Sequence, residues 1–153
     1  MTKKPARRRS VSPERRRVSA KSKKASAPRT HKFTRGLYGH ITHTDLASTD
    51  PSATKESCRK VLGWRFTFSM PVPGGEIHMF AYSPKGGGGI RPTNPPEMPG
   101  SIPYIHVPSC ADAYAKALQE GAEEMMSPTR VMEGVTVAIV RAPGGVPIGF
   151  SGP

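Results

Sequence analysis

Residues 102–126 read IPYIHVPSCADAYAKALQEGAEEMM, and the fold is decided in this stretch. Ile102–Val107 has the short, half-apolar character of a strand. Ser109 and Asp112 stand three apart as a capping box, and the helix they open places Ala113, Tyr114, Ala117 and Leu118 on one face at helical spacing. Gly121 ends that helix, because glycine accepts the left-handed backbone a C-terminus needs. Strand-like runs then fall near Glu123–Met126, Gly134–Val140 and Val146–Ser151.

The same order occurs once before. Leu37 to Leu46 reads as a strand carrying Tyr38, Ile41 and Leu46. Asp50 is placed as an N-cap with Pro51 at the first helical position. Positions 53/54, 57/58 and 61/62 form a stripe at helical spacing, and Gly63 supplies the C-cap. Trp64–Met70, Glu76–Tyr82 and the run around Ile90 follow as strands, split by Pro73-Gly74-Gly75 and by Gly86–Gly89. His43 lies twenty residues before Gly63 and Ile102 nineteen before Gly121, so the two positions are equivalent. One β-α-β-β-β unit is too small to close a core, so the two must pack together. The expectation is an α+β domain over 36–153, with modules about 36–97 and 98–153, a curved mixed sheet around a cleft, and helices outside.

Charge divides the chain differently. Residues 1–35 hold fourteen Lys and Arg against Glu14 alone, a net of +13, and the remainder holds nine basic and ten acidic residues, a net of −1. The tail offers only Met, Val, Ala and Pro as apolar members up to residue 32, too little burial to offset the entropy of ordering, so disorder is expected. Its clusters Arg7–Arg9 and Arg15–Arg17 suit weak, salt-sensitive contact with nucleic acid or another polyanion, and no aromatic residue is interleaved to stack on bases. No run approaches the ~20 apolar residues of a membrane span, and the N-terminus has no apolar core of a secretory signal. The expected compartment is the cytoplasm. Cys58 and Cys110 have neither metal-ligand nor redox spacing.

Several short motifs share an order with one family: His43, Asp50-Pro51, Leu62-Gly63-Trp64, Gly86–Gly89, Pro96-Glu97-Met98-Pro99-Gly100, Gly134-Val135, and Pro143-Gly144-Gly145 before Ile148-Gly149-Phe150. With these, residues from about 36 to 153 resemble the vicinal oxygen chelate superfamily of glyoxalases, bleomycin-resistance proteins and extradiol dioxygenases. The closer likeness is to the branch related to lactoylglutathione lyase. The resemblance implies paired βαβββ modules around a cleft, often completed by a symmetric homodimer. In metal-using members, four side chains from the first and last strands of each module hold a divalent ion. Those positions fall here on His43, the run Gly86–Arg91, Ile102 and Gly149. Of these His43 alone can ligate, and one ligand does not make a divalent site, so no metal and no other cofactor is expected. Ser57-Cys58 also replaces the Phe-Tyr that the branch usually carries in the first helix.

What the cleft could do instead follows from strand alternation. If His43 faces it, so do Ile41 and Asp45, and if Ile102 does, so do Tyr104 and His106. His43 and His106 are the candidate general bases, since imidazole titrates near neutral pH. Asp45, Tyr104 and Arg91 are candidate substrate-binding residues, with His78 at the edge. The glycine run is followed by neither a helix nor Lys-Ser/Thr, so it is no phosphate loop and is expected as a flexible cleft rim. Three functions fit these residues. One is a small-molecule-binding domain with a degenerate metal site, extending to a metal-independent lyase or isomerase of unknown substrate. The others are a nucleic-acid-associated protein using its tail, and a drug-sequestering binder. The residues leave open whether substrate is turned over.

Overall fold

A computed structural model describes residues 37–153. The basic tail and its expected disorder lie outside the described residues. The first module comprises β1 (Ile41–Ser48), α1 (Pro51–Leu62), β2 (Arg65–Val72), β3 (Gly75–Ser83) and β4 (Gly86–Pro92). The second comprises β5 (Gly100–His106), α2 (Cys110–Gln119), β6 (Glu123–Met132), β7 (Val135–Arg141) and β8 (Pro147–Gly152). All eight strands form one sheet in the order β2-β3-β4-β1-β5-β8-β7-β6. The fold is α+β, a curved mixed sheet of two βαβββ units with the helices packed on one side.

The sheet register exposes the internal symmetry. Antiparallel β1 and β5 pair His43 with Tyr104 and Asp45 with Ile102. A two-fold relation equating 43 with 102 and 45 with 104 maps each pair onto the other. β1 runs parallel to β4, and β5 parallel to β8. Asp45 sits beside Gly89, and Tyr104 beside Gly149. The symmetry therefore narrows the ligand position within Gly86–Arg91 to Gly89.

Local chemistry accounts for the ends of α1. The Asp50 carboxylate accepts from the Ala53 amide at 2.9 Å, Pro51 opens the helix, and Gly63 closes it at φ 67°. Ser109 caps α2 by accepting from the Asp112 amide. The first strand begins later than the sequence suggested, at Ile41. The chain turns tightly at Gly39, and the His40 amide returns to the Leu37 carbonyl. The α1 stripe is only partly covered: Thr54 and Cys58 are half-buried, whereas Val61 and Leu62 face solvent. Aromatic bulk on this side of the sheet comes from Trp64, stacked on Phe80 at 4.2 Å, with Phe66 edge-on to the same ring.

The glycine run is corrected most. It is not a flexible rim but an interior strand, β4, hydrogen-bonded to β3 and β1. A Cβ at Gly88 would run into the Thr44 carbonyl and the Phe80 ring, and one at Gly89 would meet Ile77 Cγ1 at 2.7 Å. The missing side chains are spaces that neighbours already fill.

Candidate functional site

Register divides the sheet into a helix side and a free face. His43 and Asp45 on β1 share the free face with Arg91 on β4 and with Ile102 and Tyr104 on β5. Ile41 leaves this alternation, because a register shift between Ile41 and His43 pairs Ile41 with Ile105. His78 pairs with Ile90, opposite Leu46, and so falls on the helix side, where its Nδ1 lies 2.7 Å from Ser69 Oγ. There it lines a small cavity between the start of α1 and the β2–β3 turn, with Thr49, Ser52, Gly74, Glu76 and Pro92.

Asp45, only 8% exposed, is the hub of the free face. Its Oδ1 lies 2.9 Å from His43 Nε2, and its Oδ2 accepts from Tyr104 Oη at 3.1 Å and Arg91 Nε at 3.2 Å. Arg91 in turn grips Glu97 with both terminal nitrogens, at 2.7 and 2.8 Å, and donates to the Pro92 carbonyl at 3.1 Å. Glu97 also accepts the Asn94 amide at 3.0 Å, which fixes the loop before β5. Four candidate residues thus meet at one carboxylate. The sequence reading missed Glu97; its signal was the Pro-Glu-Met-Pro-Gly motif, which marks a loop without saying where the glutamate reaches.

The charge states follow from this packing. Burial pushes the Asp45 carboxyl up, but the His43 hydrogen bond and charge, then those of Arg91, outweigh burial and hold it below its ordinary value. The Arg91 fork lowers Glu97 likewise. Burial, then the Asp45 charge, push the Tyr104 phenol up, so Tyr104 stays a neutral donor. An ionised Asp45 can only accept, so the proton of the His43–Asp45 bond sits on Nε2. In the neutral imidazole the lone pair is then on Nδ1, and the side chain is 30% exposed.

His106 follows Tyr104 by two residues on the same face of β5, outside the hydrogen bonds to Asp45. It is buried at the end of β5, with Nδ1 3.2 Å from the Ser151 carbonyl and its ring 5.2 Å from that of Tyr38. Ile102, Tyr104 and Ile139, with Met126 and Val137 against them, form an apolar cluster beside the Asp45 hub.

The four positions of a divalent centre are His43, Gly89, Ile102 and Gly149, and they do not fit one. A Cβ at Gly149 would enter the Tyr104 ring, 2.6 Å from Cε1, and the space at Gly89 belongs to Ile77 and Met79. A ligating side chain at either place would have to displace a packed neighbour. Among the described residues no three His, Cys, Asp or Glu side chains gather into a group able to hold a metal.

Residues 40–150 match the model of the Glyoxalase/Bleomycin resistance protein/Dioxygenase superfamily, and the chain belongs to that superfamily. No curated protein matches it by sequence. Among solved structures it is similar to methylmalonyl-CoA epimerase from Mycobacterium tuberculosis, with a TM-score of 0.60 at 15% identity over 80% of this chain and 93% of that one. It is also similar to hypothetical protein BH1468 from Bacillus halodurans C-125, with a TM-score of 0.58 at 17% identity over 73% and 92%. A methylmalonyl-CoA epimerase in complex with methylmalonyl-CoA and NH4+ gives 0.56 at 18% identity over 74% and 94%. At these identities the likeness is one of fold. No helix among the described residues is long and apolar enough to cross a membrane.

Proposed function

We propose that this chain is a small-molecule-binding member of the superfamily that works without a divalent metal, with His43 as the group that exchanges a proton with the ligand. The observation that carries this reading is the 2.9 Å bond from His43 Nε2 to Asp45, a carboxylate pinned on its other oxygen by Tyr104 and Arg91. That arrangement orients the ring and leaves Nδ1 as the basic atom, the role a carboxylate–imidazole pair serves in general-base catalysis. The reaction class it suits is proton removal next to a carbonyl, as in an isomerase or lyase. Asp45, Tyr104 and Arg91 act as positioning residues: Tyr104 and Arg91 both donate to Asp45, and Arg91 is held in turn by Glu97 and the Pro92 carbonyl. The complexes of similar folds with a CoA thioester support a small molecule as the ligand.

The test is a metabolite screen on the full chain by ligand-observed NMR. Bound carbonyl compounds are then followed for deuterium wash-in from D2O. Wash-in lost in His43→Gln supports the base. Binding without exchange leaves a sequestering protein, and absence of any ligand that perturbs His43 rejects the reading. A symmetric homodimer remains part of the proposal, supported by exposed Phe68 on edge strand β2 and exposed Val131 and Met132 on edge strand β6. Light scattering that returns a monomer at micromolar concentration would remove it.

A further inference from the structure

The free face carries a charge balance that restricts its ligand. Arg91 is the cation at the hub, and four of its five N–H groups are taken, by Asp45, Glu97 twice and the Pro92 carbonyl. Two carboxylates surround one guanidinium, so with a neutral His43 the cluster is one charge negative. The other charged side chains that register puts on this face lie at the outer strands. Arg65 is on edge strand β2, and Arg141 stands 4.0 Å from Glu123 while donating to the Gly145 carbonyl. Between edges and hub the lining is apolar, with Phe68, Ile77 and Met79 on one flank and Met126 and Ile139 on the other. The His43 ring nitrogen that Asp45 leaves unbonded is Nδ1, an acceptor on a side chain that is 30% exposed.

We propose that this face selects ligands bearing an ammonium or similar cationic hydrogen-bond donor on an apolar body, and disfavours carboxylates and phosphates. The proposal rests on the reading of His43 as the ligand-facing group. A ligand whose ammonium occupies Nδ1 is held there rather than turned over, because that lone pair is then not free to take a proton from carbon. The donor meets Nδ1, its charge is balanced by the Asp45–Glu97 pair, and its body lies on the methionine and aromatic flank. Bulk charge cannot produce this preference, because the whole chain carries +12 and would favour anions.

The experiment uses the full chain with 13C-labelled histidine and three matched probes: benzylamine, benzyl alcohol and benzoate. The His43 ring signal is assigned from the spectrum of His43→Gln. Saturable shifts of that signal by benzylamine, with affinity about tenfold or more above benzoate, are expected. The margin over benzoate shrinks several-fold in Glu97→Gln, which removes a charge without touching His43, and disappears in Asp45→Asn. Equal or tighter benzoate binding at His43 overturns the proposal. Equal binding of benzyl alcohol also overturns it, but leaves the small-molecule reading intact. If no probe moves the His43 signal the proposal fails; a metabolite screen equally silent at His43 rejects the functional reading as well.

Discussion

Gly149→Ala tests the claim that neighbours, rather than absence alone, have closed the old ligand positions. The added Cβ would sit 2.6 Å from Tyr104 Cε1 and Cγ, where carbon atoms rest near 3.5 Å, so the ring must withdraw by about 1 Å. The ring has little room, because Ile102 and Ile139 pack with it in one buried cluster. Overpacking of this kind costs about 1–3 kcal/mol. A 1 Å retreat also stretches the 3.1 Å Tyr104–Asp45 bond beyond hydrogen-bonding range, which removes a bond to a charged acceptor, about 1.5–3 kcal/mol. Asp45 keeps His43 and Arg91, so the low end of the second figure applies, and the expected total is about 3 kcal/mol. Urea unfolding of the full chain measures it. A double-mutant cycle sharpens the test. Tyr104→Phe should cost about 2 kcal/mol alone but under about 0.5 kcal/mol in the Gly149→Ala background, because the bond is already broken there. A Gly149→Ala variant within about 0.5 kcal/mol of the parent, or a Tyr104→Phe cost equal in both backgrounds, would refute the reasoning.

Other consequences follow from the same network. Asp45 and Glu97 have folded-state values below their ordinary ones, so their stabilisation is complete above the normal carboxylate range and is lost as pH falls through the folded values. Stability should therefore drop steeply below about pH 4, and the drop should be shallower in Asp45→Asn, measured by urea midpoints across pH. Tyr104 has the opposite shift: its stabilisation is present below the ordinary phenol value and is lost as pH rises past about 10, a loss absent from Tyr104→Phe. Arg91→Met should cost about 2–3 kcal/mol, since it strips Asp45 of a partner and leaves Glu97 with only the Asn94 amide, and Arg91→Lys should not restore it because a point charge cannot make the fork. Metal analysis of full-length protein incubated with Zn2+, Ni2+ or Mn2+ should find no stoichiometric ion. An equivalent of metal that disappears in His43→Ala would overturn the account of the site.

The legible parts of this fold are those written in local chemistry. Asp50-Pro51, Gly63 and Ser109 mark helix ends because their side chains, or the lack of one, satisfy backbone groups a few residues away. Period-two runs announce the strands because side chains alternate faces along extended backbone, and the repeat of one order makes positions 43 and 102 equivalent in the chain itself. The glycine run was misread because a local view of glycine sees freedom. Only the neighbours show that its Cβ positions belong to Phe80, Ile77 and the Thr44 carbonyl.

The sequence by itself determined the two βαβββ units, their helices, the charge divide at residue 35 and the scarcity of ligating side chains at the four central positions. The tertiary structure decided which residues meet. Arg91 reaches Asp45 across 46 residues and Tyr104 reaches the same carboxylate across 59, and no local pattern encodes contacts that exist only when β4 and β5 flank β1. It also gave His106 the Ser151 carbonyl, not Asp45, as its partner, and sent His78 to the opposite face. The physical reason is the same in each case. Backbone propensity acts over a few residues, whereas the partners of a buried charge are chosen by sheet register, which sums the packing of the whole chain.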